Sequence, residues 1–417
     1  MDRLPGFRDF YPEPLPKGEA WSAEVRKYIF ERWHRVARRY AFGLYDGPPL
    51  ESLDLFTAKS GDEIVGQLYN FIDKGERNVS LRPEMTPTVA RMVAARERHY
   101  KKPIKWYSVP QLFRYERQQK GRLREHFQFN ADIFGENDPA ADAELIALLI
   151  DVLRNFDLGA EDFVIRLSSR NAWQEFFATQ CSDQSRAYDF YQTVDKLERA
   201  KPEESDEKFK ALGFSLDEVR GFIDSGKPTQ ELQAVLDNLA ARGLSDYVKI
   251  DYNVIRGLAY YTGIVYEAFD RHGKFRAIAG GGRYDQLVSL VSAGKNDIPG
   301  AGFAMGDVVL AELLKERGLL PKFKGEIEVY ALIEDESLRD STISLVQSLR
   351  EESLSVDYSI VPLKPDKQFK RALEHGVRFT LRLEDQATAK IKNLKTRDEQ
   401  TLPIAEVAAY LMKAVSK

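Results

Sequence analysis

Apolar side chains recur at spacings of three and four residues along an early stretch of the chain, which is the pattern of an amphipathic helix. The positions that share this face are Trp21, Val25, Ile29, Trp33, Val36 and Tyr40. They predict a long helix that starts near Lys17. The helix leads into AFGLYDGPPL, where Pro48 and Pro49 stop regular structure.

Beyond this helix, segments with strand character alternate with helical ones. The segment ending NVSLRPEMTPTVARMVAAR predicts a strand leading into a helix, and IKWYSVPQLFRYE, RQQKGRLR and EHFQFNADIFG predict a strand, a loop and a strand. Residues 139–157 have a helical pattern, and the charged stretch from about 181 to 244 predicts an inserted helical subdomain. Strand patterns return with YVKIDYNVIRGLAYYTGIVYEAF and FRAIAGGGRYDQL. We therefore expect residues 1–320 to form one large antiparallel sheet flanked by helices.

The pattern changes after the linker LPKFKGE. The segments EIEVYALI, SVDYSIV, FTLRLE and TAKIKNL read as strands. They are interspersed with helical patterns around residues 341–350, at DKQFKRALEHG and at IAEVAAYLMKAV. This alternation predicts a small α/β domain over residues 326–417, so the whole chain falls in the α+β class.

The composition is that of a folded protein with more than one domain. The chain has 417 residues, of which 43% are hydrophobic, and its net charge of -4 argues against indiscriminate nucleic-acid binding. Its single cysteine, Cys181, excludes an internal disulfide framework and a cysteine-based zinc site, and it fits a reducing compartment. We find no run of about 20 apolar residues and no apolar leader, so we expect a cytoplasmic protein with no membrane partner.

The predicted strand, loop and strand hold the most informative polar residues, because side chains two apart on a strand share a face. Arg114 and Glu116 would project together, and Gln128, Asn130 and Asp132 would share one face of the return strand. Such a polar row either faces water or lines a polar pocket. Periodicity alone favours the face exposed to water by about two to one.

The loop RQQKGRLR between these strands is strongly cationic. Its charged residues are Arg117, Lys120, Arg122 and Arg124. A cationic loop suits a polyphosphate or a nucleic-acid end, although a solvated hairpin tip is the commoner case.

Two further segments offer polar groups to a ligand. Arg82, Glu84 and Thr86 in LRPEMT would alternate on one strand face and offer a carboxylate and a hydroxyl to an amine, with an edge ion pair as the alternative. In RGLAYYTG, Arg256 lies close to Tyr260 and Tyr261. An arginine can neutralise a carboxylate or phosphate, and each tyrosine is as often a core residue as a hydrogen-bonding one.

Several common sites are excluded by their missing motifs. AIAGGGRYD lacks the ending of a Walker A loop and the spacing of a dinucleotide site. The five histidines have no metal-binding spacing, so we predict no metal bound by protein motifs. No GxSxG motif is present and Cys181 has no flanking signature, which argues against covalent catalysis.

Ordered motifs link the chain to a known family. FRYERQQKGRLREHFQFNADIFG closely resembles motif 2 of class II aminoacyl-tRNA synthetases of the histidyl type. LRPEMTPTVAR is similar to the amino-acid-binding strand of that family, RGLAYYTGIVYE to its histidine-specific element, and GGGRYDQL to the strand before motif 3. GFRDFYPEP, the long helix and Pro48 resemble the opening and the dimer-forming motif 1, and the unit ending KIKNLKTRDEQTLP resembles the anticodon-binding domain. Four ordered motifs make this match specific.

The resemblance implies a class II catalytic domain over residues 1–320, an anticodon-binding domain over residues 326–417 and a homodimer. It implies the ligase reaction of protein biosynthesis in which ATP activates histidine to histidyl-adenylate and histidyl is transferred to the 3′ end of histidine tRNA. Mg²⁺ would accompany the ATP phosphates.

The resemblance also assigns roles by position, with Arg114 and Arg256 as catalytic residues. The residues implied to bind ATP are Arg114 at the α-phosphate, Glu116 at the adenine amino group and Arg122 at the outer phosphates. Those implied to bind histidine are Glu84, Thr86 and Gln128 at the α-amino group, Asp132 and Tyr261 at the imidazole, Arg256 at the carboxylate and the α-phosphate, and also Tyr260. Those proposed for tRNA are Lys120 at the acceptor end and Lys390, Lys392, Asn393, Lys395 and Arg397 at the anticodon, with a solvated strand edge as the alternative for the second group.

The chain departs from the family pattern at several positions. Val309 stands where the family's motif 3 has an arginine that packs on ATP, and Ala259 replaces the usual aspartate of RGLDYY. Asp132 replaces a common glutamate, and His126 and Phe127 are in swapped order. These changes fit either a divergent active enzyme or a relative that has lost adenylation.

Two non-catalytic alternatives therefore stay open. One is a regulatory subunit of the ATP phosphoribosyltransferase type, which would bind histidine as an effector. The other is a tRNA-binding sensor. The resemblance of residues 326–417 to a whole anticodon-binding domain and the retained Arg114, Glu116 and Arg256 favour the synthetase over both.

Overall fold

The computed structural model describes residues 2–16, 20–60, 66–115, 123–197, 200–255, 260–323 and 327–415. The chain divides into two compact units, residues 1–320 and residues 321–417. Of the helices within the described ranges, none is both long and apolar enough to cross a membrane.

The first unit is built from short strands and mostly short helices. Its strands are β1 (Phe10–Tyr11), β2 (Trp21–Ser22), β3 (Gly43–Leu44), β4 (Leu50–Ser52), β5 (Asn70–Ile72), β6 (Asn78–Leu81), β7 (Ile104–Ser108), β8 (Gln111–Phe113), β9 (Glu125–Phe134), β10 (Phe163–Ser169), β11 (Val248–Ile250), β12 (Ile264–Asp270), β13 (Ala279–Arg283) and β14 (Gly300–Gly306). Its helices are α1 (Ala23–Arg39), α2 (Asp54–Ser60), α3 (Thr86–Arg96), α4 (Ala140–Arg154), α5 (Arg170–Ala178), α6 (Ala187–Lys196), α7 (Pro202–Ala211), α8 (Leu216–Ser225), α9 (Gln230–Ala241), α10 (Leu287–Val291) and α11 (Asp307–Glu316).

One large sheet organises this unit. Its strand order is β11-β10-β12-β13-β14-β9-β7-β3, and β8 pairs with the first part of β9. The pairings from β10 through β7 are antiparallel, and parallel pairs occur only at the two ends of this order, among the described strands. The helix α4, buried along almost its whole length, packs against β14 and α1. The predicted class, an antiparallel sheet flanked by helices, is confirmed.

The first helix begins later than predicted. Lys17 lies outside the described residues, and α1 starts at Ala23 because the Ser22 side chain accepts the Val25 N–H at 3.1 Å and caps the helix. Trp21 belongs to β2, whose backbone pairs with β1 in parallel register. The predicted apolar face is present from Ile29 onward, where it is buried against the sheet core.

Four helices, α6 to α9, occupy the region predicted to be an inserted helical subdomain. Phe190, Phe209, Val235 and Leu239 from these helices belong to the same apolar core as the main sheet. Cys181, at the start of the region, is buried in that core as well.

The second unit is a small α/β domain. Its elements are β15 (Val329–Leu332), α12 (Arg339–Glu351), β16 (Val356–Tyr358), α13 (Pro365–Glu374), β17 (Phe379–Leu383), β18 (Thr388–Asn393), β19 (Glu399–Pro403) and α14 (Ile404–Val415). The sheet order is β16-β15-β17-β18-β19, parallel among the first three strands and antiparallel among the last three. The pattern of the sequence predicts all of these elements except β19.

Candidate functional site

A buried carboxylate with two tyrosine partners lies on one face of the large sheet. Asp132 is on β9, opposite Gly302 of β14 and Trp106 of β7. The Tyr284 hydroxyl donates a hydrogen bond to one Asp132 oxygen, and the Tyr45 hydroxyl approaches the other at 3.5 Å. All three side chains are buried, Asp132 at 3% exposure.

Burial determines the protonation of this group. Removal from water raises the pKa of Asp132 to about 7, and hydrogen bonds from Tyr284 and Tyr45 oppose the rise. The pKa values of both tyrosines lie well above their usual range because they are buried beside the carboxylate. The group therefore changes charge near neutral pH, where the imidazole of a free histidine also titrates.

Gly302 leaves the space that this arrangement needs. A Cβ at that position would collide with the Asp132 carboxylate and the Tyr284 hydroxyl. The absence of a side chain there lets two polar groups meet between paired strands.

A second buried carboxylate, that of Glu84, lies close to the group formed by Asp132, Tyr45 and Tyr284. The Tyr260 hydroxyl donates a hydrogen bond of 2.7 Å to Glu84, and both residues are buried. The ring of Tyr260 is 5.0 Å from that of Tyr261 and 6.0 Å from that of Tyr284, measured between centroids. We call this group the tyrosine–carboxylate cluster; its members are Tyr45, Glu84, Asp132, Tyr260, Tyr261 and Tyr284.

The backbone around Glu84 differs from the prediction. Arg82, Glu84 and Thr86 do not alternate on a strand, because β6 ends at Leu81 and Thr86 is the first residue of α3. Pro87 occupies a first-turn position that favours the start of a helix. Glu84 therefore lies in the turn between strand and helix.

Arg82 serves as a support of this turn. It donates to the Gly47 carbonyl at 2.6 Å and pairs with Asp46 at 3.0 Å. It thereby holds the segment that directly follows Tyr45.

The polar row predicted on β9 is buried. Asn130 and Asp132 are each 3% exposed, so the more frequent solvent-facing alternative is wrong for these two residues. Phe129 and Ile133, on the opposite face, belong to the main core. Gln128 is half-buried at the other end of the row, where its backbone N–H donates to Pro110 at 3.1 Å.

Arg114 follows β8 and is held against the turn that contains Glu84. Its Nε donates to the Pro83 carbonyl at 2.9 Å, and its backbone N–H donates to the Arg124 carbonyl at 2.8 Å. The predicted site residues that lie outside the described ranges are Glu116, Lys120, Arg122 and Arg256. The substituted position Ala259 lies outside them as well.

Two of the lysines predicted for RNA, Lys390 and Lys392, lie on an inner strand of the second unit. Lys390 and Lys392 on β18 pair with Glu399 on β19 at 2.7 and 2.8 Å, and these pairs lower the pKa of Glu399 to about 2. The Asn393 side chain accepts the backbone N–H of Lys395 at 2.9 Å and so shapes the turn after β18. β18 is not an edge strand, since β19 pairs with it. Lys390 and Lys392 nevertheless remain partly exposed in their pairs with Glu399, so an ordinary solvated surface stays open beside the RNA interpretation.

The sequence reasoning did not predict Tyr45 and Tyr284. Tyr284 follows the glycine strand β13 directly, and its position within GGGRYD was the available signal. Tyr45 follows β3 and has no local signal, since only the pairing of β3, β7 and β9 brings it near Asp132.

Comparison with known proteins identifies the family. The family model described as Histidyl-tRNA synthetase matches residues 19–307, and that described as Anticodon binding domain matches residues 324–414.

Individual relatives agree over nearly the full chain. The histidine--tRNA ligase of Opitutus terrae is 43% identical over 98% of this chain and 97% of its own length, and that of Leptospira biflexa is 36% identical over 99% and 97%. The crystal structure of histidyl-tRNA synthetase from Nostoc sp. PCC 7120 has the same fold, with a TM-score of 0.76 at 21% identity over 98% of this chain and 100% of that one. The resemblance seen in the motifs is thus confirmed, and the chain belongs to the histidyl-tRNA synthetase family.

Proposed function

We propose that this chain is an active histidine--tRNA ligase whose tyrosine–carboxylate cluster binds histidine. The observation that carries the assignment is the pair of buried carboxylates, each bound by a tyrosine hydroxyl. We assign Glu84, Thr86 and Gln128 to the histidine α-amino group, with the Glu84 carboxylate as the negative group. We assign the Asp132 carboxylate to the imidazole.

The ring of histidine is polar at two positions and apolar between them, and the cluster has the same character. Asp132, Tyr284 and Tyr261 supply polar contacts within a small apolar core that also contains Met85 and Val265. A different amino acid would leave the buried carboxylate and hydroxyls without partners. Such losses support selectivity on the order of 10⁴-fold.

The first chemical step joins two anions, the histidine carboxylate and ATP. The carboxylate attacks the α-phosphorus in line and pyrophosphate leaves, so positioning and charge stabilisation are sufficient and no protein nucleophile is needed. We assign Arg114 to the α-phosphate and Arg256 to the carboxylate and α-phosphate. Glu116 and Arg122 would hold the adenine and the outer phosphates. In our proposal these arginines stabilise the charge that develops in the transition state.

Mg²⁺ enters this scheme as a companion of the ATP phosphates. Among the described residues, no group of three or more histidine, cysteine, aspartate or glutamate side chains could hold a metal ion. In our proposal the protein groups that act on the phosphates are arginines.

In the second step, a hydroxyl of the terminal tRNA ribose attacks the histidyl-adenylate. We assign Lys120 to the acceptor end of the tRNA, and Lys390, Lys392, Asn393 and Lys395 to the anticodon, where a protein reads unstacked bases. We propose a homodimer acting in the cytoplasm, with residues 1–320 as the catalytic domain and residues 326–417 as the anticodon-binding domain.

The regulatory alternative is disfavoured by the second unit. A histidine-binding regulator has no use for a domain whose sequence matches an anticodon-binding family over residues 324–414. Retention of Arg114 at the proposed phosphate site also favours catalysis. The arginine missing at Val309 then alters how ATP is held without removing the reaction.

Histidine-dependent exchange of pyrophosphate into ATP tests this proposal without tRNA. The purified protein with ATP and Mg²⁺ should exchange pyrophosphate when histidine is present and should not do so with other amino acids. Absence of exchange together with intact histidine binding would overturn the catalytic proposal and favour the regulator. Charging of histidine tRNA then tests the second step.

A further inference from the structure

A buried arginine near the start of the chain joins two carboxylates from distant parts of the sequence. Arg8 Nε donates to Glu125 at 2.7 Å and Nη1 donates to Asp307 at 2.8 Å. The three side chains are 1%, 1% and 6% exposed. The guanidinium also lies over the rings of Phe10 and Trp21. Removal of the cation would leave two buried negative groups without compensation.

The carboxylates of Glu125 and Asp307 lie where β8, β9 and α11 come together. Glu125 is the first residue of β9 and Asp307 is the first residue of α11. Asp307 also accepts the Phe127 N–H at 3.0 Å, and the second oxygen of Glu125 accepts Gln111 Nε2 from β8 at 2.9 Å. One cation therefore links both strands of the β8–β9 hairpin to the start of α11.

The same hairpin carries Arg114. The Arg114 N–H donates to the Arg124 carbonyl at 2.8 Å, directly before Glu125. The Gly6 carbonyl accepts the N–H groups of Arg124 and Glu125 at 2.9 and 3.3 Å. The segment that contains Gly6 and Arg8 thus holds the backbone to which Arg114 is bound.

We propose that Arg8 is a positioning residue for ATP: it fixes the base of the β8–β9 hairpin, and through it Arg114, against α11. This inference rests on the proposed function, in which Arg114 contacts the α-phosphate. Arg8 precedes the stretch matched by the catalytic family model, which begins at residue 19. The histidine end of the site is held by different contacts, between tyrosine hydroxyls and the carboxylates of Glu84 and Asp132.

The test separates the two substrates. Arg8→Gln should weaken ATP binding and raise the KM for ATP in pyrophosphate exchange by about 10-fold to 100-fold, because small displacements of phosphate-binding groups have effects of that order. The KM for histidine should stay within about twofold. Arg8→Lys, which keeps the charge, should recover much of the ATP affinity.

A matched control distinguishes positioning from general stability. Arg317 makes a comparable pair with the buried Asp270 at 2.6 Å, at the other end of α11. Arg317→Gln should lower the free energy of unfolding but leave the KM for ATP unchanged. If Arg8→Gln does not fold, the double variant Arg8→Gln/Glu125→Gln removes one of the uncompensated carboxylates and permits the same measurement.

Direct titration with ATP keeps the result independent of catalysis. A native protein that binds ATP without exchange would refute the proposed function, while the effect of Arg8→Gln on the Kd for ATP would still decide this inference. An unchanged Kd for ATP, or an equal weakening of ATP and histidine binding, would overturn it.

Discussion

Replacing Asp132 by asparagine should stabilise the protein at alkaline pH while reducing its ability to recognise histidine. Burial raises the pKa of Asp132 from 3.8 to about 7. When folding raises the pKa of an acid, the folded state favours the protonated form. The free energy of unfolding therefore falls as the pH rises from the unfolded pKa to the folded pKa. Above pH 7 the buried Asp132 is ionised, and the loss of stability has reached its full size.

The size of this change in stability follows from the difference between the unfolded and folded pKa values of Asp132. Three pKa units correspond to about 4 kcal/mol, of which about 3 kcal/mol develops between pH 5 and pH 8. Asparagine has a similar shape and no charge to desolvate. The free energy of unfolding of Asp132→Asn, relative to the native protein, should therefore increase by about 3 kcal/mol over this range. The other buried carboxyl groups are common to both proteins and cancel.

Urea denaturation at pH 5, 6, 7 and 8 measures this difference. In the same preparations, pyrophosphate exchange with histidine and with a non-cognate amino acid measures discrimination, which should decline in the variant. A stability difference that is independent of pH would refute the raised pKa. Unaltered discrimination would refute the assignment of Asp132 to the imidazole.

Three further variants test the cluster and the second unit. Tyr284→Phe removes a hydroxyl that donates to Asp132 and should raise the KM for histidine about 10-fold while the KM for ATP stays unchanged; an unaffected histidine KM would contradict the placement. Gly302→Ala places a methyl group against the carboxylate and should lower the unfolding free energy by about 1–3 kcal/mol in thermal or chemical denaturation, and a neutral result would show that the strands can separate. Lys390→Ala with Lys392→Ala should weaken aminoacylation of tRNA and leave pyrophosphate exchange intact, whereas reduced exchange would point to a structural defect.

The sequence was most informative where a local period determines the structure. The apolar face of α1 from Ile29 onward and the alternation along β9 follow from side-chain geometry within one element. The start of α1 was less predictable, because capping by Ser22 and the pairing of Trp21 with β1 depend on particular contacts. The prediction that Arg82, Glu84 and Thr86 alternate on one strand was wrong for the same reason, since the end of β6 at Leu81 also depends on particular contacts.

Burial and distant partners could not be obtained from periodicity. Alternation places Asn130 and Asp132 on one face but does not say whether that face meets water. Only the neighbouring strands β14 and β7 decide this. Tyr45 joins Asp132 across 87 residues of sequence, and no short pattern encodes such a contact.

The hydrogen bonds of the cluster span most of the first unit, and this affects how the protein is made. Tyr260 and Glu84 are 176 residues apart, and Tyr284 and Asp132 are 152 apart. A nascent chain that ends before Tyr260 has both carboxylates but lacks the two hydroxyls that bind them most closely. Such long-range contacts form late and slow folding. In our proposal histidine therefore binds only after synthesis has passed Tyr284, and by binding the finished fold it would draw late intermediates toward the native state.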